Sequence, residues 1–316
     1  MLGHVTDPAE PGGLARRELP EPSPRANEIV VEVRAYGVNR GELSLLARRP
    51  NGWMPGQDVA GVVAVEARDG SGPAAGSRVV ALADQGGWSE RVAVPTHRVA
   101  RLPAEVTFSQ AAALPVAGLT AIRALRTGGP LLGGQVLVTG ASGGVGHFAV
   151  QLARIGGAVV TALVSGPPRV AGVKSLGADH VVTVLDGTGP FDLVLDGVGG
   201  TVLLDAIHRV RAGGTIAAYG LASGQPTKLT FGDFGGAPLA RLIGFFVYAT
   251  GEETFGVDLG VLAGYVADGR LHVETGVHRD WVGTLDAVEE LRARRVTGKA
   301  VLTLGWPRPD PGLTTA

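Results

Sequence analysis

The sequence predicts an α/β protein in which a small, mostly antiparallel β-barrel or sandwich is followed by a doubly wound parallel sheet. Residues 28–103 contain short apolar strands separated by turn residues, which is the pattern of an antiparallel unit. After Ser109, apolar residues recur at helical spacing in two runs with Pro115 marking the break between them, and strands that are apolar on both faces then alternate with helices. This alternation predicts a parallel sheet covered by helices on both sides.

The individual elements can be placed from the same patterns. The first part of the chain is predicted to contain strands at residues 28–38, 59–65, 78–82, 88–94 and 99–102. Strands of the second part are expected at residues 136–138, 158–164, 180–182, 191–195, 215–219 and 242–248. Helices are expected after the strand at 136–138 and at residues 170–176, 259–267 and 285–293, before a closing strand at 300–304. The proline-rich tail from Gly305 is expected to be loosely held.

A glycine-rich turn joins the strand at 136–138 to an amphipathic helix. Gly140, Gly143 and Gly146 have the spacing G-x-x-G-x-x-G. The apolar stripe that follows consists of Val145, Phe148, Ala149, Leu152 and Ala153. Glycines let the backbone approach phosphates, and a helix N-terminus offers N–H groups and the positive end of its dipole. Strand, turn and helix in this order predict a site for the pyrophosphate of a dinucleotide, the alternative being a turn that binds nothing.

The end of the next strand, at residues 158–164, indicates which dinucleotide is bound. A protein that prefers NAD places Asp or Glu there, to accept a hydrogen bond from the ribose 2′-hydroxyl. No acidic residue stands between the glycine turn and Asp179, and the strand is followed by Ser165 and Arg169. A hydroxyl and a guanidinium suit a 2′-phosphate, so the sequence favours NADPH over NADH. The alternative is that Arg169 lies only on the surface of the following helix.

Composition excludes several classes of function. The chain has 316 residues, 28 basic and 29 acidic side chains, a net charge of −1 and no cysteine. The charge balance gives no basis for a nucleic-acid or anionic-membrane partner, and the absence of cysteine excludes disulfides, thiolate catalysis and thiolate-bound zinc. The uncharged span from 127 to 153 contains eight glycines and a proline, which argues against a membrane helix. No secretory signal is visible at the start, so we expect a cytoplasmic protein.

Eight segments along nearly the whole chain carry a further signal. They are VEVRAYGVNRGEL (31–43), PGQDVAGVV (55–63), GGWSERVAVP (86–95), AAALPVAGLTAIRAL (111–125), VTGASGGVG (138–146), LGADHVV (176–182), FDLVLDGVGG (191–200) and TGKAVLTL (297–304). Together they resemble the zinc-independent, quinone-oxidoreductase-like branch of the medium-chain dehydrogenase/reductase (MDR) superfamily. The combination is much more specific than the glycine turn alone.

The resemblance implies a GroES-like β-barrel catalytic domain combined with a Rossmann domain, which is a doubly wound parallel sheet. The catalytic domain is expected at residues 1–113 and 251–316, and the NADPH-binding Rossmann domain at 114–250. The resemblance also implies a homodimer formed by edge-to-edge pairing of the last Rossmann strand, at residues 242–248.

Departures from the family pattern concern the metal and the substrate. Zinc-dependent relatives carry a Cys ligand and a Gly-His-Glu motif where this chain has Asn39-Arg40-Gly41-Glu42 and Gly56-Gln57-Asp58. We therefore expect no metal site, since an amide is a poor zinc ligand and one carboxylate cannot hold the ion. The segment between residues 43 and 55 is shorter than in many relatives and lacks their Tyr-Pro element, which leaves the substrate open.

Position in the matching motifs implies a role for each site residue. The pyrophosphate would be bound by Gly143, Gly144, Val145 and Gly146. The cofactor would be lined by Val198, Tyr219 and Gly220. Lys299 would reach the cofactor phosphates or, alternatively, be a solvated lysine. His147, just inside the helix, is expected to be partly exposed and not catalytic.

The catalytic candidates are Thr120, at the start of its helix, and Asn39, both expected to face the nicotinamide. Their alternative roles are a helix cap and a turn residue. Arg40 and Trp53 are the candidates for the substrate pocket. No acid–base pair can be named from the sequence. The predicted reaction does not depend on one, because a quinone or enone carries the incoming charge on its own oxygen and water can supply the proton.

The sequence therefore predicts an NADPH-dependent reductase of a quinone or of an activated C=C bond, working on a small-molecule substrate without zinc. One alternative is a tailoring enzyme of the same fold that acts on an intermediate of a biosynthetic pathway. Another is a non-catalytic, cofactor-binding protein with a structural or RNA-binding role, against which the net charge of −1 argues.

Overall fold

The computed structural model describes residues 1–305, and within them strands and helices follow the chain in the following order. The strands are β1 (Leu2–Thr6), β2 (Leu14–Glu18), β3 (Glu28–Val38), β4 (Asp58–Val65), β5 (Arg78–Leu82), β6 (Arg91–Pro95), β7 (Val99–Arg101), β8 (Gln135–Thr139), β9 (Val159–Leu163), β10 (His180–Val182), β11 (Phe191–Asp196), β12 (Val210–Ala218), β13 (Arg241–Gly244), β14 (Thr275–Asp280) and β15 (Lys299–Thr303). The α-helices are α1 (Arg40–Leu46), α2 (Phe108–Ala111), α3 (Pro115–Arg126), α4 (Gly146–Ile155), α5 (Val170–Ser175), α6 (Gly200–Ile207), α7 (Phe255–Ala267) and α8 (Thr284–Arg292).

The chain forms two compact units. The first comprises residues 1–115, 277–296 and the chain from 300 on, and the second comprises residues 116–276 and 297–299. The main sheet of the first unit has the order β14-β15-β3-β4-β5-β7, and β6 also pairs with β3. Pairing from β15 through β7 is antiparallel, and β1 and β2 form a separate antiparallel pair. The long central strand β3 is apolar on its buried face, and it packs in a core that includes Tyr36 and Trp88.

The second unit is built on a six-stranded sheet of order β10-β9-β8-β11-β12-β13. All five pairings in it are parallel. The strands β8 and β11 are buried along their central residues, as expected for strands covered on both faces. Strand order reverses at β8, because β9 lies on one side of it and β11 on the other, which places a ligand crevice beyond the carboxyl ends of these strands. The predicted α/β fold is thus confirmed.

The second boundary between the units differs from the expected one. Residues 251–276 pack with the second unit instead of the first. Helix α7 lies against α3, where Gly118 leaves room for Leu262 and the buried Arg123 bonds to Asp258 at 2.7 Å. An apolar helix face and a buried ion pair on the same partner hold α7 in this unit.

Some elements differ from the sequence-based expectation. The strands β1, β2 and β14 and the helices α1 and α6 were not expected, because they are short or follow turn residues closely. The strand expected at 242–248 ends at Gly244, and residues 247–249 form a 3₁₀ turn. Among residues 1–305 no helix combines the length and the hydropathy that crossing a membrane requires. The tail beyond Gly305, expected to be loosely held, lies outside the described residues.

Candidate functional site

The glycine turn between β8 and α4 is closed by backbone-to-backbone packing. Gly140 has φ of +62°, a left-handed conformation that favours glycine. A Cβ atom on Gly146 would overlap the carbonyl oxygen of Gly140 and lie 2.7 Å from Cα of Ala141. Two of the three spaced glycines are therefore required by the path of the chain itself.

Hydrogen bonds within the turn fix the direction of the backbone amides that precede α4. The N–H of Gly143 donates to the oxygen of Gly140 at 2.9 Å, and the oxygen of Gly143 accepts the N–H of His147 at 3.1 Å. Helical bonding thus begins at the Gly143 carbonyl, so the amides of the next three residues, 144–146, precede the first intrahelical donor. Such amides, together with the positive end of the helix dipole, suit an anion without any charged side chain.

Two short segments, residues 271–276 and 297–299, form a strap that is hydrogen-bonded to this turn. The N–H of Gly298 donates to the oxygen of Ser142, and the N–H of Lys299 donates to the oxygen of Glu274, both at 2.9 Å. The stem of Lys299 packs on Gly144, and the residue is only 3% exposed. Lys299 is therefore not a solvated lysine, and that alternative is wrong.

A small pocket of about 90 Å³ lies beside the glycine turn. Its polar lining includes Ser142, His147, Arg169, Glu274 and Thr297. The guanidinium of Arg169 donates to the hydroxyl of Ser142 at 3.0 Å, so this side chain bends toward the turn instead of lying on the surface of α5. Both groups are donors that suit a phosphate. The sequence missed Ser142, although its position inside the glycine motif was visible.

The loop after β11 is held by a buried carboxylate. Asp196 is fully buried; its Oδ1 accepts from the hydroxyl of Thr139 at 2.6 Å, and its Oδ2 accepts from the N–H of Gly199 at 2.9 Å. Burial raises the pKa of Asp196, while these hydrogen bonds oppose the rise. Thr139 ends β8, so the network ties the carboxyl ends of β8 and β11 together. The side chain of Val198, in the same loop, rests on Gly140.

The loop after β12 stacks on this one. A Cβ on Gly220 would lie 2.8 Å from the oxygen of Gly197, and a Cβ on Gly197 would lie 2.7 Å from the hydroxyl of Tyr219. Burial, together with the charge of Asp196, raises the pKa of the Tyr219 phenol, so it is a hydrogen-bond donor at neutral pH. The structure thus gathers Val198, Tyr219 and Gly220 at the same edge of the sheet as the glycine turn.

Two predictions about polar residues in the second unit are wrong. Thr120 lies in the middle of α3, not at its start, and its hydroxyl donates to the oxygen of Val116 at 2.6 Å. His147 is fully buried instead of partly exposed. The apolar stripe of α4 was expected to be the buried face of the helix, and His147 is not part of that stripe. However, Gln151, one turn after His147, exchanges two hydrogen bonds with the backbone of His272, which brings the strap over the face of α4 that carries His147.

In the first unit, Asn39 belongs to a buried polar cluster. Its side-chain N–H donates to Oδ2 of Asp58 at 2.9 Å, and its backbone N–H donates to Oε2 of Glu42 at 2.7 Å. The other oxygen of Glu42 accepts the N–H of Gln57 at 3.0 Å. Glu42 therefore links the two positions at which zinc-dependent relatives have their ligands. The capping-box spacing Asn39-x-x-Glu42 was the sequence signal for this role.

The two residues expected in the substrate pocket have separate partners in the first unit. The exposed Arg40 donates to the oxygen of Leu291 at 3.4 Å, near the end of α8. The indole N–H of Trp53 donates to Oε1 of Gln85 at 2.6 Å. Within residues 1–305, no group of three or more His, Asp or Glu side chains is arranged to hold a metal ion.

Comparison with known proteins follows the division into two units. Residues 25–104 match the family described as alcohol dehydrogenase GroES-like domain, and residues 144–260 match the family described as zinc-binding dehydrogenase. Prostaglandin reductase-3 of Bos taurus is 32% identical over 330 residues, covering 92% of this chain and 84% of that protein.

Two further similarities concern quinone reductases and their cofactor. The chloroplast envelope quinone oxidoreductase homolog of Arabidopsis thaliana is 40% identical over 186 residues, which cover 54% of this chain and 56% of that protein. The chain thus spans about half the length of this relative. A mycobacterial protein solved in complex with NADPH has a TM-score of 0.86 and 27% identity, covering 96% of this chain and 100% of that one. The chain belongs to the quinone-oxidoreductase branch of the medium-chain dehydrogenase/reductase superfamily, with a GroES-like and a Rossmann-type domain.

Proposed function

We propose that this protein is an NADPH-dependent oxidoreductase that transfers hydride to a quinone or to the activated C=C bond of an α,β-unsaturated carbonyl compound. The observation that carries the proposal is the anion site at the N-terminus of α4, with Arg169 and Ser142 beside it. Between the end of β9 and Asp179 no carboxylate is present to repel a 2′-phosphate, although Glu274 lines the pocket beside Arg169. The mycobacterial relative that was solved with NADPH supports the same choice of cofactor.

The residues present fit this cofactor. The amides of Gly144, Val145 and Gly146 would bind the pyrophosphate, whereas the amide of Gly143, also expected there, donates to the oxygen of Gly140 instead. Arg169, with Ser142 and Ser165 near the end of β9, would bind the 2′-phosphate. Bound NADPH supplies hydride chemistry. Lys299, whose stem runs along Gly144, would add positive charge on the phosphate side.

The loops that follow β11 and β12 would line the rest of the cofactor. Val198 packs on Gly140, so it continues the surface of the glycine turn. Gly220 lies against Gly197, and the absence of side chains there keeps the backbone open to a flat ring. The phenol of Tyr219 supplies a neutral hydrogen-bond donor at this edge.

Reduction of a quinone or an enone needs no metal, because the substrate delocalises the incoming charge onto its own oxygen. The positions of the zinc ligands carry amide side chains, Asn39 and Gln57, which are poor zinc ligands. Asn39 is proposed to face the nicotinamide end, with its amide oriented by Asp58. Thr120, Arg40 and Trp53 remain proposals for the nicotinamide end and the substrate pocket. Water would supply the proton.

Titration and turnover together test the proposal. The protein is titrated with NADPH and NADH, and turnover is then measured with 1,4-benzoquinone, 9,10-phenanthrenequinone and a 2-enoyl thioester. Tight NADPH binding with turnover of one class supports the reductase and identifies its substrate class. Tight binding without turnover would instead point to a dedicated pathway intermediate as the substrate. Absence of binding would refute the proposal.

We also propose a homodimer formed along β13, the edge strand of the parallel sheet. Apolar side chains at and near this edge are exposed, among them Leu239, Leu242 and Phe246. An exposed strand edge with apolar neighbours favours pairing with a second copy. Light scattering should give twice the chain mass for the native protein and the single-chain mass for Phe246→Glu. A native protein of single-chain mass at micromolar concentration would refute the dimer.

A further inference from the structure

His147 is a buried histidine in the first turn of α4, directly after the glycine turn. The residue is 0% exposed. Its Nδ1 lies 3.1 Å from the carbonyl oxygen of Gly143, and its buried Nε2 has no hydrogen-bond partner in the part of the chain that the structure describes. Because a carbonyl only accepts, Nδ1 carries the hydrogen and donates it to Gly143.

The surroundings keep this imidazole neutral. Burial lowers the pKa of His147 to about 3, and the charges of Lys299 and His272 lower it further. The ring is therefore an Nδ1–H tautomer with a buried Nε2 lone pair that no group in residues 1–305 satisfies. An unsatisfied buried acceptor costs free energy, and its presence in a native protein calls for an explanation. An aliphatic side chain would fill the space without this cost, so the explanation lies in the bond from Nδ1.

The bond from Nδ1 acts on the residue that sets the direction of the anion-binding amides. The Gly143 carbonyl accepts both the His147 backbone N–H and the imidazole, and the Gly143 N–H donates to Gly140. These bonds together fix the peptide plane between Gly143 and Gly144. The N–H of that plane is the first of the three amides at the helix N-terminus.

We propose that His147 is a positioning residue for anion binding, which holds the Gly143 carbonyl through Nδ1–H and so keeps the amides of residues 144–146 aimed at the cofactor pyrophosphate. The role rests on the proposed function, since the anion in question is the pyrophosphate of NADPH. Preorganised donors bind more tightly because no ordering is required when the ligand arrives.

Two substitutions separate this role from simple packing. In His147→Asn the side-chain N–H occupies the place of Nδ1–H, whereas His147→Leu fills the space without any donor. We expect the Kd for NADPH to rise about tenfold in His147→Leu, the equivalent of one hydrogen bond. We expect His147→Asn to stay within about threefold of the native value. The kcat at saturating NADPH should fall far less than the affinity.

Hydrogen–deuterium exchange provides a readout that does not depend on NADPH. In the free protein, the hydrogen-bonded amides of residues 143 and 147 should exchange faster in His147→Leu than in the native protein or His147→Asn. The control is Leu152→Ala, a buried substitution on the same helix, which should lower Tm without changing exchange in the turn.

The outcomes are distinguishable. Unchanged exchange in His147→Leu, or equal loss of affinity in the Asn and Leu variants, would overturn the positioning role. If the native protein does not bind NADPH, the proposed function fails, while the exchange comparison still decides whether His147 orders the turn. Faster exchange confined to the turn in His147→Leu, restored in His147→Asn, would support the inference.

Discussion

The glycine turn of the second unit and the Asn39 cluster of the first unit differ in whether their polar groups find hydrogen-bond partners within the protein. At the turn, the backbone leaves the amides of residues 144–146 without helical acceptors, so they can donate to a ligand or to water. In the cluster, Glu42 accepts two backbone N–H groups and Asp58 accepts the amide of Asn39, so the polar groups satisfy one another. The first arrangement is built for binding, and the second is built for stability. The comparison predicts different responses to substitution.

The largest effect is expected when a side chain is added to the turn. In Gly146→Val, the new Cβ would overlap the Gly140 carbonyl, and the turn must open to accommodate it. We expect the Kd for NADPH, measured by calorimetry, to rise at least about 100-fold, or about 2.8 kcal/mol. The control is Gly264→Ala in α7, where the added methyl meets no atom within 4 Å and helix propensity improves. Equal Kd values for Gly146→Val and the native protein would remove the binding role of the turn.

Charge reversal beside the turn should produce a smaller and more selective effect. Arg169→Glu replaces a donor to the 2′-phosphate with a repelling carboxylate, and we expect the KM for NADPH to rise by about 10- to 100-fold. The KM for NADH, which lacks this phosphate, should change far less. Lys174→Glu, on the exposed face of α5, is the matched charge control. Equal changes for the two cofactors would exclude Arg169 from the 2′-phosphate site.

The Asn39 cluster should respond in stability and not in cofactor affinity. The two carboxylate oxygens of Glu42 accept the backbone N–H groups of Asn39 and Gln57. In Glu42→Gln one of these oxygens becomes an NH₂ donor, which leaves one of the two buried N–H groups unsatisfied. We expect the free energy of unfolding, from urea titration, to fall by about 1–3 kcal/mol, with little change in Kd for NADPH. The exposed Glu105→Gln is the control. Lost affinity with unchanged stability would reverse the contrast between the two regions.

A separate effect on stability is expected in acid. Since burial lowers the pKa of His147 to about 3, the unfolded imidazole, with its usual pKa of about 6.5, binds a proton first as pH falls. Stability from this residue is therefore present above pH 6.5 and is lost between 6.5 and 3, at about 1.4 kcal/mol per pH unit. The unfolding free energy of His147→Asn should lack this part of the slope between pH 6 and 4. His208→Gln, at an exposed histidine, should retain it; identical slopes in the native protein and His147→Asn would contradict the assignment.

The contrast also explains how much the sequence could predict. The glycine turn, the parallel sheet and most strand positions follow from spacing alone, because backbone conformation and burial leave periodic patterns. The bond from Asn39 to Asp58 depends on which side chains meet at the ends of β3 and β4, and no local pattern records that; only the bond from Asn39 to Glu42 had a local signal, the capping-box spacing. The exposure of His147 was wrong for the same reason. It depends on residues 271–276 and 297–299, which return to α4 from more than 100 positions along the chain.

The assignments of site residues show the same difference between local patterns and the packing that the structure reveals. Gly146 and Lys299 were placed near the phosphates by motif position, and the structure brings Lys299 onto Gly144. Thr120 was misplaced because Pro115, which begins α3, was interpreted as a break between helices. Proline is favoured in the first turn of a helix, so the same residue was compatible with both interpretations.

The stacked loops after β11 and β12 limit how this protein can be altered. A side chain gained on Gly220 would meet the backbone of Gly197, which no substitution can trim, and one gained on Gly197 would meet the ring of Tyr219 in the other loop. A change at either glycine therefore requires a change in the partner loop. A designer who wishes to reshape this end of the crevice must transplant both loops as one cassette, and natural variation should likewise exchange them as a pair.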